Sequence, residues 1–228
     1  MKRSRFAAIA AGAVLVAAAA VWQVMGTTPV GRTQAAAAPS APVAGAPAAA
    51  QRFVIDPQTS EASYHVGETF FRDNQFKVAV GVTHGIQGDV YVDRAHPDQS
   101  RIGPITINVN QLTSDSRHRD EAIRGQWLES DKYPTAVFTP TAIEGLPKTY
   151  VAGQTAHVRI TGNLTVHGVT KPAVFTGTLK LSGDTLTGAM ESTVMMRDFG
   201  FDPPSIMMLR TEDKATLDFQ FTAHPFGA

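Results

Sequence analysis

From Phe53 onward, apolar and polar residues alternate with a period of two, the pattern of strands that bury one face. The longest run is Val158 to His167. Val158, Ile160, Gly162, Leu164 and Val166 fall on one face, and Arg159, Thr161, Asn163, Thr165 and His167 on the other. The run stops at Gly168, which can supply the positive φ of a turn, and resumes over Ala173 to Leu181. Pro172 cannot donate to a central ladder. Earlier, Ala62, Tyr64 and Val66 share one side of Glu61 to Val66. Ile86, Gly88, Val90 and Val92 alternate with Gln87, Asp89 and Tyr91, and Ile105, Ile107 and Val109 alternate with Thr106, Asn108 and Asn110. Both segments read as half-buried antiparallel strands, joined by a polar turn short enough to make them neighbours. Ala136 and Phe138 alternate with Val137. Thr185 to Met196 follows the hairpin signal Ser182-Gly183-Asp184, and Thr216 to Thr222 places Leu217, Phe219 and Phe221 on one face.

Residues 114–130 break this pattern. Ser114, Asp115 or Ser116 can cap a helix, and Asp120 and Glu121 complement its N-terminal dipole. Ile123, Trp127 and Leu128 give it a narrow apolar stripe, so one short helix should lie over an end of the sheet. Arg117, His118 and Arg119 form either a solvated, ion-paired face with the neighbouring acids or an anion or headgroup site. Phe70, Phe71 and Phe76 read as a plug for one end of the fold or a rim over a mouth. Residues 199–208 form an irregular loop rich in Pro and Met.

About eight strands and one short helix make an antiparallel barrel or a sandwich, which periodicity does not separate. Closure removes the edges, and an eight-stranded barrel can hold one small ligand. Its inner face would carry Tyr64, Val66, Ile86, Val90, Ile107, Val109, Phe138, Ile160, Leu164, Val166, Leu217 and Phe219. Such an interior either packs solid or leaves an apolar tunnel. The small inner positions Ala62, Gly88, Ala136 and Gly162 argue for retained space. A linear lipid chain in that space would gain about 0.8 kcal/mol per buried CH₂. The cluster Met190, Met195, Met196, Met207 and Met208 reads as core filler or as an adaptable lining.

The N-terminal segment has a different character. Lys2, Arg3 and Arg5 precede an uncharged apolar run from Phe6 to about Met25, with Trp22 near its far end. Residues 1–25 therefore read as a signal anchor with its N-terminus towards the cytoplasm, or as a signal peptide cleaved among the small residues that follow. Residues 26–51 are rich in Ala and Pro and read as a flexible tether, and residues 52–228 as the folded domain. Both N-terminal readings place the domain outside the cytoplasm, anchored to the membrane or secreted.

Lysine plus arginine equals aspartate plus glutamate at 20 each, which gives no support for a nucleic-acid partner. The 228 residues contain no cysteine, excluding disulfides, thiolate metal sites and a cysteine nucleophile. The seven histidines are scattered, with no helical pair spaced for zinc, and neither a G-x-S-x-G elbow nor a phosphate-binding loop is present. His167 reads as a turn residue or, less directly, as a ligand contact. No metal, catalytic cofactor or enzyme activity is expected.

Four stretches in order resemble one family. Gly162-Asn163-Leu164-Thr165-Val166-His167-Gly168-Val169-Thr170-Lys171-Pro172 is similar to the G-(D/N)-L-T-(I/V)-H-G-V-T-K-P signature of the YceI-like family. Phe53-Val54-Ile55-Asp56-Pro57 is similar to its opening strand. Arg119-Asp120 with Asp131 to Phe138 resembles its "RD…KYPxxxF" segment, and Arg197-Asp198-Phe199-Gly200 its "RxDFG" turn. The resemblance covers about residues 52–224. It implies an all-β, lipocalin-like antiparallel up-and-down barrel, a bound polyisoprenoid lipid (polyprenyl or quinone-like) and the homodimeric association common among similar proteins. The expected function is extracytoplasmic binding or transport of that lipid. The alternative is the same barrel with a packed core, acting as an interaction module without ligand.

Overall fold

The computed structural model describes residues 50–227. The expected signal or anchor, and the tether up to residue 49, lie outside the described residues. Among the described residues no helix is long and apolar enough to cross a membrane. The chain forms β1 (Gln51–Ile55), β2 (Glu61–Phe70), β3 (Gln75–Thr83), β4 (Ile86–Gln87), β5 (Asp89–Val92), β6 (Arg101–Ile102) and β7 (Ile105–Asn108). The helix α1 (Arg117–Ala122) follows. Then come β8 (Thr135–Glu144), β9 (Thr155–Val166), β10 (Val169–Ser182), β11 (Thr185–Met195), β12 (Ser205–Ile206) and β13 (Leu209–Pro225).

All pairings are antiparallel, and they return to their start. β13 pairs with β11 along one side and with β2 and then β1 along the other. β2 pairs with β3, which continues past His84 and Gly85 into β4. β4 pairs with β7, and β7 leads through β8, β9 and β10 back to β11. The seam between β3–β4 and β7 is short. Val82 N–H donates to the Thr113 carbonyl at 2.8 Å and receives a bond in return at 2.9 Å, and Asn108 N–H reaches the Gly85 carbonyl at 2.6 Å. A barrel, not a sandwich, is the result.

The β9–β10 hairpin turns on two residues, His167 (φ 53°) and Gly168 (φ 75°). Both central residues of such a turn need positive φ so that its twist matches the strands. Glycine meets this freely, while His167 is held there by its side-chain contacts.

Some elements differ from the sequence pattern for physical reasons. β3 turns Ala79, Gly81 and Thr83 inward and Val78, Val80 and Val82 outward, so its larger apolar residues lie on the wrong face for a simple reading. β5 buries Asp89, Val90 and Tyr91 together and is not half-exposed, because β1 and β6 flank it and Arg52 neutralises Asp89 at 3.0 Å. Phe71 and Phe76 point into solvent, so they do not plug the barrel; Phe70 faces inward.

Packing divides along the barrel. Towards the β10–β11 hairpin, Phe53, Ile86 and Ala223 pack solid within a larger buried cluster that also takes in Leu181, Leu186 and Phe221. Towards the β9–β10 turn, a smaller cluster forms around Leu164, Ala173 and Phe199. Phe53, fully buried at 0% exposure, pins β1 between β13 and β5. Phe53→Ala should lower the unfolding free energy by about 3–5 kcal/mol. Urea denaturation of the full chain measures this, and an unchanged midpoint would remove β1 from the core.

Candidate functional site

Between the two clusters the barrel is hollow. The cavity is about 570 Å³ and is lined by every long strand and by the inner side of the helical segment. Eleven of the twelve expected inner residues lie on its wall: Tyr64, Val66, Val90, Ile107, Val109, Phe138, Ile160, Leu164, Val166, Leu217 and Phe219. Ile86 does not. It follows the bend at His84 and Gly85, where the wall closes onto the solid core, and only 1% of it is exposed.

The space comes from alanines. Ala62, Ala79, Ala136 and Ala215 all face the cavity. Gly88 and Gly162 do not contribute space as expected. A Cβ at Gly88 would collide with the Ile105 side chain, and one at Gly162 with the Thr139 carbonyl and the Phe138 ring. Those glycines permit close packing. The methionines also divide. Met190 and Met196 line the cavity, whereas Met207 and Met208 stand exposed at the hairpin before β13.

The helical segment forms the cap. Ser116 accepts the Arg119 N–H at 3.4 Å as its N-cap, and α1 then widens into a looser turn in which Leu128 N–H reaches the Ile123 carbonyl at 2.8 Å. Such i→i+5 turns re-aim side chains and are common at functional sites. Here Ile123, Trp127 and Leu128 face the cavity. Arg124 donates to the Leu112 carbonyl at 2.8 Å, tying the cap to the wall.

One corner of this apolar space is polar. Glu68 on β2 is only 6% exposed, and Arg119 of the cap donates to both its oxygens, Nη2 at 3.1 Å and Nε at 3.4 Å. Arg119 also pairs with Asp115 and donates to the Ser114 hydroxyl at 3.3 Å; Ser114 in turn donates to Asp120 at 2.6 Å. Of the basic cluster, Arg117 is exposed, His118 reaches the cavity rim and Arg119 turns inward. Thr211 stands opposite Glu68 in the β13–β2 register, and Tyr64, four residues earlier on β2, lines the cavity with its ring over Gly81. Burial pushes the Tyr64 hydroxyl up to about 12; Arg119 opposes the rise, and Asp120, Glu68 and Asp115 add to it. The corner was not legible as a unit, because Tyr64, Glu68, Arg119 and Thr211 come from three distant parts of the chain.

His167 stands outside this wall. Its Nε2–H donates to Glu129 at 2.6 Å, and its ring meets Tyr133 and Phe201 edge-on at 4.8 and 5.8 Å. Among the described residues, no three His, Asp or Glu side chains converge on a metal-sized site.

A family model for the "YceI-like domain" matches residues 53–223. A "UPF0312 protein" of Pseudomonas aeruginosa is 32% identical over 127 residues, which is 53% of this chain and 62% of that protein. The chain thus spans less than two thirds of that relative's length. A "UPF0312 protein" of Shewanella baltica is 30% identical over 167 residues, covering 67% of this chain and 78% of that one. The crystal structure of Burkholderia cenocepacia BcnA superposes with a TM-score of 0.57 at 19% identity, covering 74% of this chain and 98% of that one. A polyisoprenoid-binding domain from Saccharophagus degradans, implicated in plant cell wall breakdown, superposes at 0.56 with 12% identity, covering 76% and 98%. At these identities the two structures share the fold.

Two outcomes test the corner. Arg119→Met leaves the buried Glu68 carboxylate unpaired and should cost about 3–5 kcal/mol, much of which Glu68→Gln should restore. A double-mutant cycle in urea reads the coupling. The Tyr64 phenol titrates near 10 when unfolded and at about 12 when folded. Above about pH 10 the unfolded state therefore binds fewer protons than the native one. Its contribution to stability is complete below about pH 10 and is lost as pH climbs towards 12. Tyr64→Phe should flatten that alkaline decline in urea midpoints.

Proposed function

We propose, from the premise that the chain belongs to the YceI-like domain family, that it binds an amphipathic isoprenoid lipid inside its barrel. The observation that carries this reading is the cavity of about 570 Å³ with an almost wholly apolar wall. Small-molecule sites span roughly 300–1,000 Å³, and each buried CH₂ contributes about 0.8 kcal/mol. An unbranched polar chain would forfeit that gain, and a bulky ring system would meet the side chains of Phe138, Phe175 and Phe219. A flexible prenyl chain suits such a wall. The polyisoprenoid-binding domain from Saccharophagus degradans has the same fold and supports the ligand class. We read the protein as a binder that sequesters or carries lipid, with the apolar wall residues as its tail contacts and no residue assigned to catalysis.

The place of action is part of the same proposal. Lys2, Arg3 and Arg5 before the apolar run support export, with the barrel held near the outer face of the membrane or released after cleavage. Intact mass of the exported chain separates these two forms.

Native mass spectrometry of the full chain expressed in a bacterium, followed by solvent extraction, should show an isoprenoid released only on unfolding. Ala136→Phe, which puts a large ring in place of a small side chain on the cavity wall, should abolish that retention while the protein stays folded. A chain that is empty and also takes up no added polyprenyl lipid would sink the reading and leave the barrel an interaction module.

A further inference from the structure

We propose that the paired tips of the β2–β3 and β12–β13 hairpins form a docking surface for an anionic lipid membrane. Phe71, Met207 and Met208 enter the lipid, and Arg72, Lys77 and Arg210 meet its headgroups. This role does not depend on which ligand the barrel holds.

The two tips lie side by side. Phe70 pairs with Gln75, so residues 71–74 make the β2–β3 turn, and Ile206 pairs with Leu209, so Met207 and Met208 make the other. Phe71 N–H donates to the Met208 carbonyl at 3.1 Å, which holds one turn against the other. Large apolar side chains exposed singly are ordinary, whereas contiguous ones mark an interaction site. Of the eight that stand exposed among the described residues, five belong to these hairpins: Phe71, Phe76, Val78, Met207 and Met208. Met207 is 96% exposed, so it adds nothing to the packing of its own chain.

The patch continues the cavity wall. Phe70, Pro204 and Leu209 line the cavity, and the chain neighbours Phe71 and Met208 stand outside it. Apolar surface therefore runs from the interior out to the tips. Phe76 leans over Gly67 on the outer face, where a Cβ would press against its ring, and widens the patch behind the tips.

Charge selects the occupant. Arg72 and Arg210 are exposed and form no ion pair among the described residues, and the Lys77 ammonium lies over the Phe70 ring at 5.6 Å. Long basic side chains lay their stems on apolar surface and keep their charges at its edge. Against these three cations stand Asp73 in the turn and Glu212, which sits farther from the tips against Gly67. Anionic headgroups would satisfy the cations that the fold leaves free. A second copy docked tip to tip would set the same three cations against themselves. Its contact would also be small: standard protein interfaces engage roughly 20–30 residues a side, and the two turns offer six.

The chain contains no cysteine, so Met207→Cys takes a solvent-sensitive fluorophore at the tip alone. Ser182→Cys, in the β10–β11 hairpin at the other end of the barrel, carries the control label. The full labelled chain is mixed with phosphatidylcholine vesicles, with and without phosphatidylglycerol. The label at position 207 should shift to the blue and be quenched by spin-labelled acyl chains, most on the anionic vesicles. The label at position 182 should stay in water, which separates tip insertion from any binding through residues 1–25. Phe71→Ser with Phe76→Ser should weaken tip insertion at least about tenfold, the size of one large apolar side chain returned to water. Arg72→Gln with Arg210→Gln should remove the preference for anionic vesicles. All four residues are exposed, so urea midpoints should match the wild type. A label at 207 that stays in water on anionic vesicles would overturn the proposal. So would equal insertion at 182, or insertion that neither pair of substitutions weakens. Brightening that rises with protein concentration in the absence of vesicles would assign the tips to a second copy, and overturn it as well.

Discussion

A strand in a sheet carries unpaired N–H and C=O groups along any free edge, and these must be satisfied or protected. This chain meets the requirement by joining its edges to each other. β13 is the pivot, with β11 on one side and β2 and β1 on the other. The ring then closes at a seam of few bonds, through β4 and β7 and the Val82–Thr113 bridge. Closure forces one face of every strand inward. From that point, what the interior holds depends only on side-chain size and chemistry.

Size varies along the barrel. Where Phe53, Ile86 and Ala223 meet, the interior is filled. Along the stretch lined by Ala62, Ala79, Ala136 and Ala215, it is not. Small side chains distributed around a closed wall leave space that neighbouring strands, held by their ladders, cannot collapse to fill. The cavity is therefore a property of the ring and its residue sizes together.

Polar contacts hold the cap over this space. Arg119 bridges to Glu68 on the wall, Arg124 reaches the Leu112 carbonyl, and the Asn110 amide donates to the Ser130 carbonyl at 3.1 Å. At its far end Glu129 meets His167 across the β9–β10 turn, and both residues carry positive φ, 42° and 53°. Backbone strain at both ends of one hydrogen bond indicates that surrounding structure holds the pair in register. The same buried ion pair that fastens the cap also gives the cavity its polar corner, so the cap's attachment and the chemistry of the interior are joined in Arg119.

Periodicity in the sequence determined the strands whose large residues face inward, such as β9, β10 and the later part of β13; cap chemistry added a short helix after Ser114, Asp115 or Ser116, and the structure decided for Ser116. It also placed Tyr64, Phe138, Leu164 and Leu217 on the inner face, because alternation is a local property that a twisted strand preserves. It did not reveal β3, whose valines face outward, since period two is read from hydrophobicity and small inward residues carry little of it. Nor did it separate Ile86, packed solid, from Val90 on the cavity wall. That distinction depends on which residues from other strands lie at the same level, and only the register of the closed ring sets it. The corner of Tyr64, Glu68, Arg119 and Thr211 belongs wholly to the tertiary structure. Glu68 meets Arg119, and Thr211 lies across from Glu68, because β2, the cap and β13 are brought together by pairings far apart in the chain.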